Sequence, residues 1–408
     1  MMRVLAIGAG GVGTSAALIS ARRTFFESWL VADYSLERAV HVVDRVDDPR
    51  FSAVALDASD SAAVEQVCRD HQITHVLNVI DPRFVMPIFR AALAADCDYL
   101  DTAMSLSQPH PEAPFAQTCV TLGQEQFAQT ADWENRGRLA LCGIGVEPGL
   151  SDVFARYAAD HLFSSVSEIG VRDGANLVVT GYDFAPSFSI WTTIEECLNP
   201  PVIYERGRGW FTTEPFSQPE VFDFPGGIGP VECVNVEHEE VMLIPRWIDC
   251  DRVTFKYGLG EEFIEVLRVL HRLGLDRTAP VSVGGQLVSP RDVVAACLPD
   301  PATLGDRMSG VTCAGTQVTG LDLAGQPRAV YLYHLADNAK TMRDYGTQAV
   351  VWQTAMNPVI ALELLATGQW SGAGVKGPEA FDAAVYLALM RDGYGQEWEL
   401  REESPASH

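Results

Sequence analysis

Apolar and polar positions follow a repeating order through the first third of the chain. Residues 4–7 form a short unbroken apolar run, the pattern of a strand buried on both faces. Residues 14–22 are rich in Ala and small polar groups and predict a helix. The order then repeats: strand at 29–32, helix at 35–43, strand at 53–57, helix at 62–71 with Ser59 and Asp60 placed to cap it, strand at 75–80, helix at 82–95, strand and loop at 98–103. Residues 105–119 carry Pro109, Pro111 and Pro114 and read as loop, and residues 139–145 are a further apolar strand entering a Gly/Pro turn. Strands alternating with crossover helices predict an α/β fold, a doubly wound parallel sheet of Rossmann type, over residues 1–146.

From about residue 167 the pattern changes. Residues 166–172, 231–236 and 252–257 read as strands, separated by helices at 190–198 and 261–273 and by Pro/Gly-rich turns, which predicts a second, α+β domain over 147–344. Helical periodicity returns at 348–366 and 379–391, so residues 345–400 are expected to fold back on the first domain, with a frayed tail after Glu399.

The first strand runs into Gly8, Gly10 and Gly13, at G-x-G-x-x-G spacing with Gly11 and Val12 between. In that setting the first glycine permits a tight turn, the second lets the backbone approach a pyrophosphate, and the third lets helix pack on strand. The helix that follows would aim N–H groups and a partial positive charge at phosphate. Asp33 ends the second strand 20 residues beyond Gly13, where a carboxylate hydrogen-bonds ribose hydroxyls and would repel a 2′-phosphate; NAD is therefore expected over NADP. Asp57 and Ala58, after the third strand, are expected beside the adenine, and Asn78 and Val79 at the C-terminal end of the fourth strand, where open α/β sheets bind ligands.

Composition narrows the partners. A chain of 408 residues suggests two or three domains, and 47% hydrophobic with 20% charged residues is ordinary for a globular protein. No apolar run reaches the roughly 18 residues of a membrane span, and no signal-peptide layout opens the chain, so a cytoplasmic protein is expected. The net charge of −25 argues against nucleic acid or an anionic membrane as partner. It suits a cationic substrate such as a polyamine or lysine derivative, and equally plain solubility. The nine cysteines are scattered, with no zinc-spaced cluster; reduced thiols and no metal are expected.

The stretches Tyr99-Leu100-Asp101-Thr102-Ala103 and Gly145-Val146-Glu147-Pro148-Gly149-Leu150-Ser151-Asp152 resemble the saccharopine dehydrogenase superfamily. Segments 236–240, 298–305, 346–370 and 374–379 are similar to its carboxynorspermidine (carboxyspermidine) dehydrogenase branch. The resemblance implies an N-terminal dinucleotide domain joined to a substrate and dimerisation domain, a homodimer, and reversible hydride transfer between nicotinamide and a carbon bearing nitrogen. Two departures stand out: Asp33-Tyr34, where that branch often carries a basic or neutral residue, and residues 353–358, which lack a glycine expected before Pro358.

Four residues are candidates for the chemistry. Glu147, at the C-terminal end of a strand, is expected to bind a substrate ammonium or relay a proton, with capping of the next helix as the alternative. Trp191 and Glu195 share a helix face four residues apart; the likeness to homospermidine synthases implies that such a pair faces a polyamine, and packing is the alternative. His238, in an acidic run, is either a proton shuttle or a surface group with raised pKa. Arg172, Arg206, Arg208 and Arg246 are open candidates for a substrate carboxylate. The expected function is an NAD(P)-dependent oxidoreductase acting on a carboxyspermidine- or saccharopine-like secondary amine. Lysine 6-dehydrogenase, a homospermidine-synthase-like enzyme and a non-catalytic NAD-binding sensor are the rivals.

Overall fold

The computed structural model describes residues 2–113 and 117–404; Pro114 of the proline-bearing loop lies outside the described residues. Seven strands, all parallel, make the first sheet in the order Gly374–Lys376, Leu139–Leu141, Asp98–Asp101, His75–Asn78, Met2–Ile7, Phe26–Asp33, Phe51–Ala55. Helices cover both faces, which is why the central strands are Val, Leu, Ile and Ala with almost no exposed surface. The direction of winding reverses between Met2–Ile7 and His75–Asn78, opening a crevice at their C-terminal ends.

The strand at Gly374–Lys376 has no apolar run to announce it. It forms because Leu139–Leu141 leaves an edge to be paired, in register from Gly374↔Leu139 to Lys376↔Leu141. The helix before it, Ala349–Ala366, has 18 residues and mean hydropathy 1.3, so by length and composition it could cross a membrane, contrary to the sequence expectation. It is packed inside the protein instead: Val351 lies so close to helix Gly11–Ser20 that a Cβ on Gly11 would meet it at 2.9 Å. Its buried amides find protein partners: Tyr386 Oη donates to Asn357 Oδ1 at 2.6 Å, and Gln353 Nε2 donates to the His334 carbonyl at 3.2 Å.

The second sheet is built on Phe163–Ala175, parallel to Cys250–Gly258 on one side and antiparallel to Val311–Asp322 on the other, with Pro327–Asp337 next outward. The tail does not fray at Glu399. Glu399–Glu403 pairs with Pro327–Asp337, and Tyr333 Oη donates to the Glu399 carboxylate at 2.6 Å. Helices Ile190–Leu198 and Glu261–Leu273 occupy the predicted residues. The last helix starts later than its periodicity suggests, at Ala383–Tyr394, because a short turn at Pro378–Ala380 precedes it and Asp382 caps Ala384.

Candidate active site

The phosphate end of the site is made by backbone. Gly8 sits at φ +120°, a conformation side chains rarely adopt, and a Cβ on Gly13 would lie 1.8 Å from the Gly8 carbonyl oxygen. Helix Gly11–Ser20 begins there with no side chain capping its N-terminus, so its first N–H groups are free for an anion. A nicotinamide dinucleotide fits this cradle. The Asp33 carboxylate accepts from the backbone N–H of Ala9 (2.9 Å) and of Ser35 (3.0 Å), tying the second strand to the glycine turn, while Arg38 Nε stands 4.0 Å away. Asp57 is exposed and turned toward Ser59, and Ala58 is buried beside it. Asn78 is internal: its Nδ2 donates to Tyr99 Oη (3.0 Å) and its Oδ1 accepts from Ile80 N–H (3.3 Å), so it shapes the turn while Val79 faces the crevice.

Two cavities meet beyond that turn. A cleft of about 220 Å³ is lined by Val12, Val79, Asp81, Thr102, Thr192, Glu196, Glu239 and Thr354 among others. A chamber of about 200 Å³ in the second domain is lined by Asp173, Thr193, Tyr257, Phe263, Cys313 and Gln353 among others. Glu147 and Phe188 line both. Glu147 does not cap the following helix, Leu150–His161; Asp152 does, accepting from Gly149 N–H at 2.7 Å.

Carboxyl groups gather on this wall. Burial raises the pKa of Glu147 well above the usual range, and the neighbouring Asp173 carboxyl adds to the effect; Asp173 itself is pushed to about 7 and Glu196 to about 8, both chiefly by burial. His238 lies among them, fully enclosed and stacked on Phe255 with ring centroids 3.7 Å apart. Burial opposes its charge, but Glu240, Glu239 and Glu196 hold its pKa up to about 10, and Nδ1 meets Glu240 Oε2 at 2.5 Å. His238, Glu239 and Glu240 present ligand atoms within 4.8 Å of one another, as a metal site would. The imidazolium already supplies the positive charge there, and Ser151 Oγ and Met104 N–H occupy further carboxylate oxygens at 2.9 and 3.1 Å.

Helix Ile190–Leu198 turns a different face to the cleft from the one the sequence suggested. Thr192 and Glu196 line it. Trp191 instead lies between two arginines, with Arg83 Cζ 4.4 Å and Arg291 Cζ 4.7 Å from its ring, and donates to Asp292 at 3.1 Å. Glu195 is taken by Arg291 and by Asn199 Nδ2. The four arginine candidates also stand elsewhere. Arg172 is buried against Glu220, Arg206 pairs with Asp249 and Asp251, Arg208 covers Phe211, and Arg246 covers Phe127.

Asp173 and Glu196 escaped the sequence reading. For Asp173 a signal existed: Arg172-Asp173 places two charges inside a central strand, between Gly170 and Gly174. For Glu196 none did, because the apolar positions of its helix admit either face.

A dinucleotide cradle opening onto a substrate cavity defines an NAD(P)-dependent oxidoreductase. Residues 4–141 match the saccharopine dehydrogenase NADP binding domain and residues 145–392 the saccharopine dehydrogenase C-terminal domain; the chain belongs to the saccharopine dehydrogenase family. It is 29% identical to carboxyaminopropylagmatine dehydrogenase of Synechocystis over 96% of this chain and 95% of that one. It is 28% identical to carboxynorspermidine synthase of Vibrio alginolyticus over 99% and 98%. The fold is similar to that of apo saccharopine dehydrogenase (L-Glu forming) from Saccharomyces cerevisiae, with TM-score 0.69, 14% identity, and 99% and 100% of the two chains covered.

Proposed function

We propose that this enzyme uses NAD to make or break the C–N bond of a secondary amine derived from a polyamine, in the manner its curated relatives' names describe. One observation carries the reading: among the described residues, those lining the cleft include Asp81, Glu147, Glu196 and Glu239 and no Lys, Arg or His, and the chamber beyond adds Asp173. A substrate rich in ammonium groups meets its counter-charges there, whereas one bearing several carboxylates would be repelled. This favours a polyamine derivative over a saccharopine-like one.

When bound, the coenzyme supplies the hydride acceptor or donor. The chain's own residues then have separable tasks. The glycine turn and helix N-terminus hold the phosphates. Val12 and Val79 would give the coenzyme an apolar surface in the cleft, and Glu196 and Glu239 would hold ammonium groups of the substrate. Glu147, common to both cavities, stands where a nitrogen flanked by two arms would lie. Arg83 is stacked on Trp191 and holds Asp81 of the cleft wall in place. The preference for NAD rests on Asp33, whose carboxylate would repel a 2′-phosphate.

The test is a coenzyme assay over a panel of amines. NADH oxidation by a diamine together with an aldehyde, at rates well above those with glutamate as the amine, is the expected result. NAD reduction by lysine alone would support lysine 6-dehydrogenase, and amine transfer without net NADH change would support a homospermidine-synthase-like reaction.

A further inference from the structure

Glu147 and Asp173 come from different domains and different kinds of element. Glu147 follows the strand Leu139–Leu141 of the coenzyme sheet, and Asp173 lies within Phe163–Ala175, the axis of the second sheet. Both line the inner chamber, and Glu147 also lines the nicotinamide cleft. The two carboxyls are close electrostatic neighbours: Asp173 raises the pKa of Glu147 and Glu147 holds that of Asp173 down, as expected of one proton held between them. Glu147 Oε1 and Asp173 Oδ1 are both buried, and no donor among the described residues bonds to either. A buried carboxyl oxygen without a donor is costly unless it shares a proton or meets a ligand.

We propose that Glu147 and Asp173 act as a single proton-sharing pair, with Glu147 the catalytic residue that takes the proton from the substrate nitrogen and Asp173 the positioning residue that receives the displaced proton. The inference rests on the reading of the substrate as an amine. In the oxidative direction a protonated secondary amine enters with the pair holding one proton and one negative charge. The nitrogen gives its proton to Glu147 as Glu147 passes its own proton to Asp173. The pair is then neutral with two protons, and the nitrogen is a neutral amine. Its lone pair becomes the second bond of C=N as hydride leaves the adjacent carbon for the coenzyme. The reductive direction runs these transfers backward. A single carboxylate would have to be fully ionised in this enclosed wall before it could serve as base; the pair is a base while keeping only one charge.

The groups facing the pair set its titration. His238 and Glu240 approach from the segment after the strand Gly229–Asn235, Glu196 from helix Ile190–Leu198, Tyr257 from Cys250–Gly258, and Cys313 and Tyr331 from the two outer strands. All but His238 oppose negative charge on the pair or are neutral near pH 7. Asp173 gives up its proton at about 7, so amine oxidation should rise with pH through that region, as the first proton leaves the pair.

The experiment compares wild type with Glu147→Gln and Asp173→Asn. Without coenzyme or substrate, infrared difference spectra near pH 8 should show a protonated carboxyl in wild type that Glu147→Gln lacks. In Asp173→Asn that band should vanish at a pH about one unit or more lower, because the second carboxyl no longer opposes ionisation of Glu147. With substrate, Glu147→Gln should lose about 100-fold or more in kcat and its rise near pH 7, and Asp173→Asn about tenfold in kcat with the NADH Kd unchanged. An identical infrared band in Glu147→Gln overturns the pair. So does a Glu147→Gln enzyme with wild-type kcat and only a raised amine KM, which would make Glu147 an ammonium ligand. Should Asp173→Asn not fold, Glu147→Gln decides alone. If no amine turns over with wild type, the substrate reading fails, and the infrared comparison still judges the pair.

Discussion

The two ends of the active site recognise charge in opposite ways. At the phosphate end the protein offers almost no side-chain charge: Gly8 to Gly13 and the start of one helix present backbone N–H groups to an anion. At the reacting end it offers little else: Glu147, Asp173, Glu196 and Glu239 converge from separate elements, with the enclosed His238 against Glu239 and no Lys or Arg among the described lining residues. The contrast follows from the ligands. A pyrophosphate needs close approach, which only glycine allows, and the helix dipole suffices for its charge. An alkylamine needs discrete counter-charges spaced along an apolar channel. Buried carboxyls provide them at a cost in desolvation that a cationic ligand offsets.

The largest effect is expected where backbone does the work. Gly13→Val places a side chain on the Gly8 carbonyl oxygen, 1.8 Å from the new Cβ, and should weaken NADH binding by about 100-fold or more in a fluorescence titration. Binding within about threefold of wild type would show that the turn does not carry the coenzyme.

At the acidic end, the neighbours Glu195 and Glu196 separate packing from recognition. Glu196→Gln should raise the amine KM by about tenfold with little change in melting temperature. Glu195→Gln leaves buried Arg291 without its counter-ion and should lower the melting temperature by several degrees, with KM nearly constant. The opposite assignment would mean that the helix turns its other face to the substrate.

The pH dependence of stability should also divide the two ends. Asp101 and Asp173 titrate at about 7 against 3.8 in the unfolded chain, and Glu196 and Glu237 at about 8 against 4.5, chiefly because burial penalises their charge. The folded protein thus binds more protons than the unfolded one between those values, so these groups favour folding at low pH and lose that contribution as pH rises toward 8. His238, held at about 10 against 6.5, acts in the same direction at higher pH. Unfolding in urea from pH 5 to 8.5 should show stability falling with pH, with a shallower slope in Glu196→Gln. A polyamine should restore most stability at the alkaline end, where the carboxyls that receive it are charged.

The smallest effect concerns the coenzyme's ribose. Asp33→Ser should narrow the preference for NADH over NADPH by about tenfold while sparing the fold, since a hydroxyl can still accept from Ala9 or Ser35. An unchanged ratio would remove Asp33 from coenzyme selection and direct attention to Arg38.

Legibility followed the same division. The order of strands and helices through the coenzyme sheet could be read because each element carries its own period, and helices Ile190–Leu198 and Glu261–Leu273 matched to the residue. Gly374–Lys376 and Glu399–Glu403 could not be read: neither has a strand's apolar pattern, and each is a strand because another offered it an edge. Ala349–Ala366 shows the converse. Its apolar composition resembles a membrane span, and only its packing against Gly11–Ser20 and its bonded amides identify it as an interior helix.

By itself the sequence determined the phosphate cradle, because the glycine spacing, the flanking strand and helix, and the acid 20 residues on are all local. It also marked Glu147 and His238 as residues of interest. Tertiary structure alone decided what they belong to. It turned Trp191 and Glu195 toward Arg291, brought Glu196 to the cleft in their place, and set Asp173 against Glu147 across a domain boundary. Backbone recognition of an anion is written in consecutive residues, whereas a shared proton depends on where two distant segments meet, and no spacing along the chain records that.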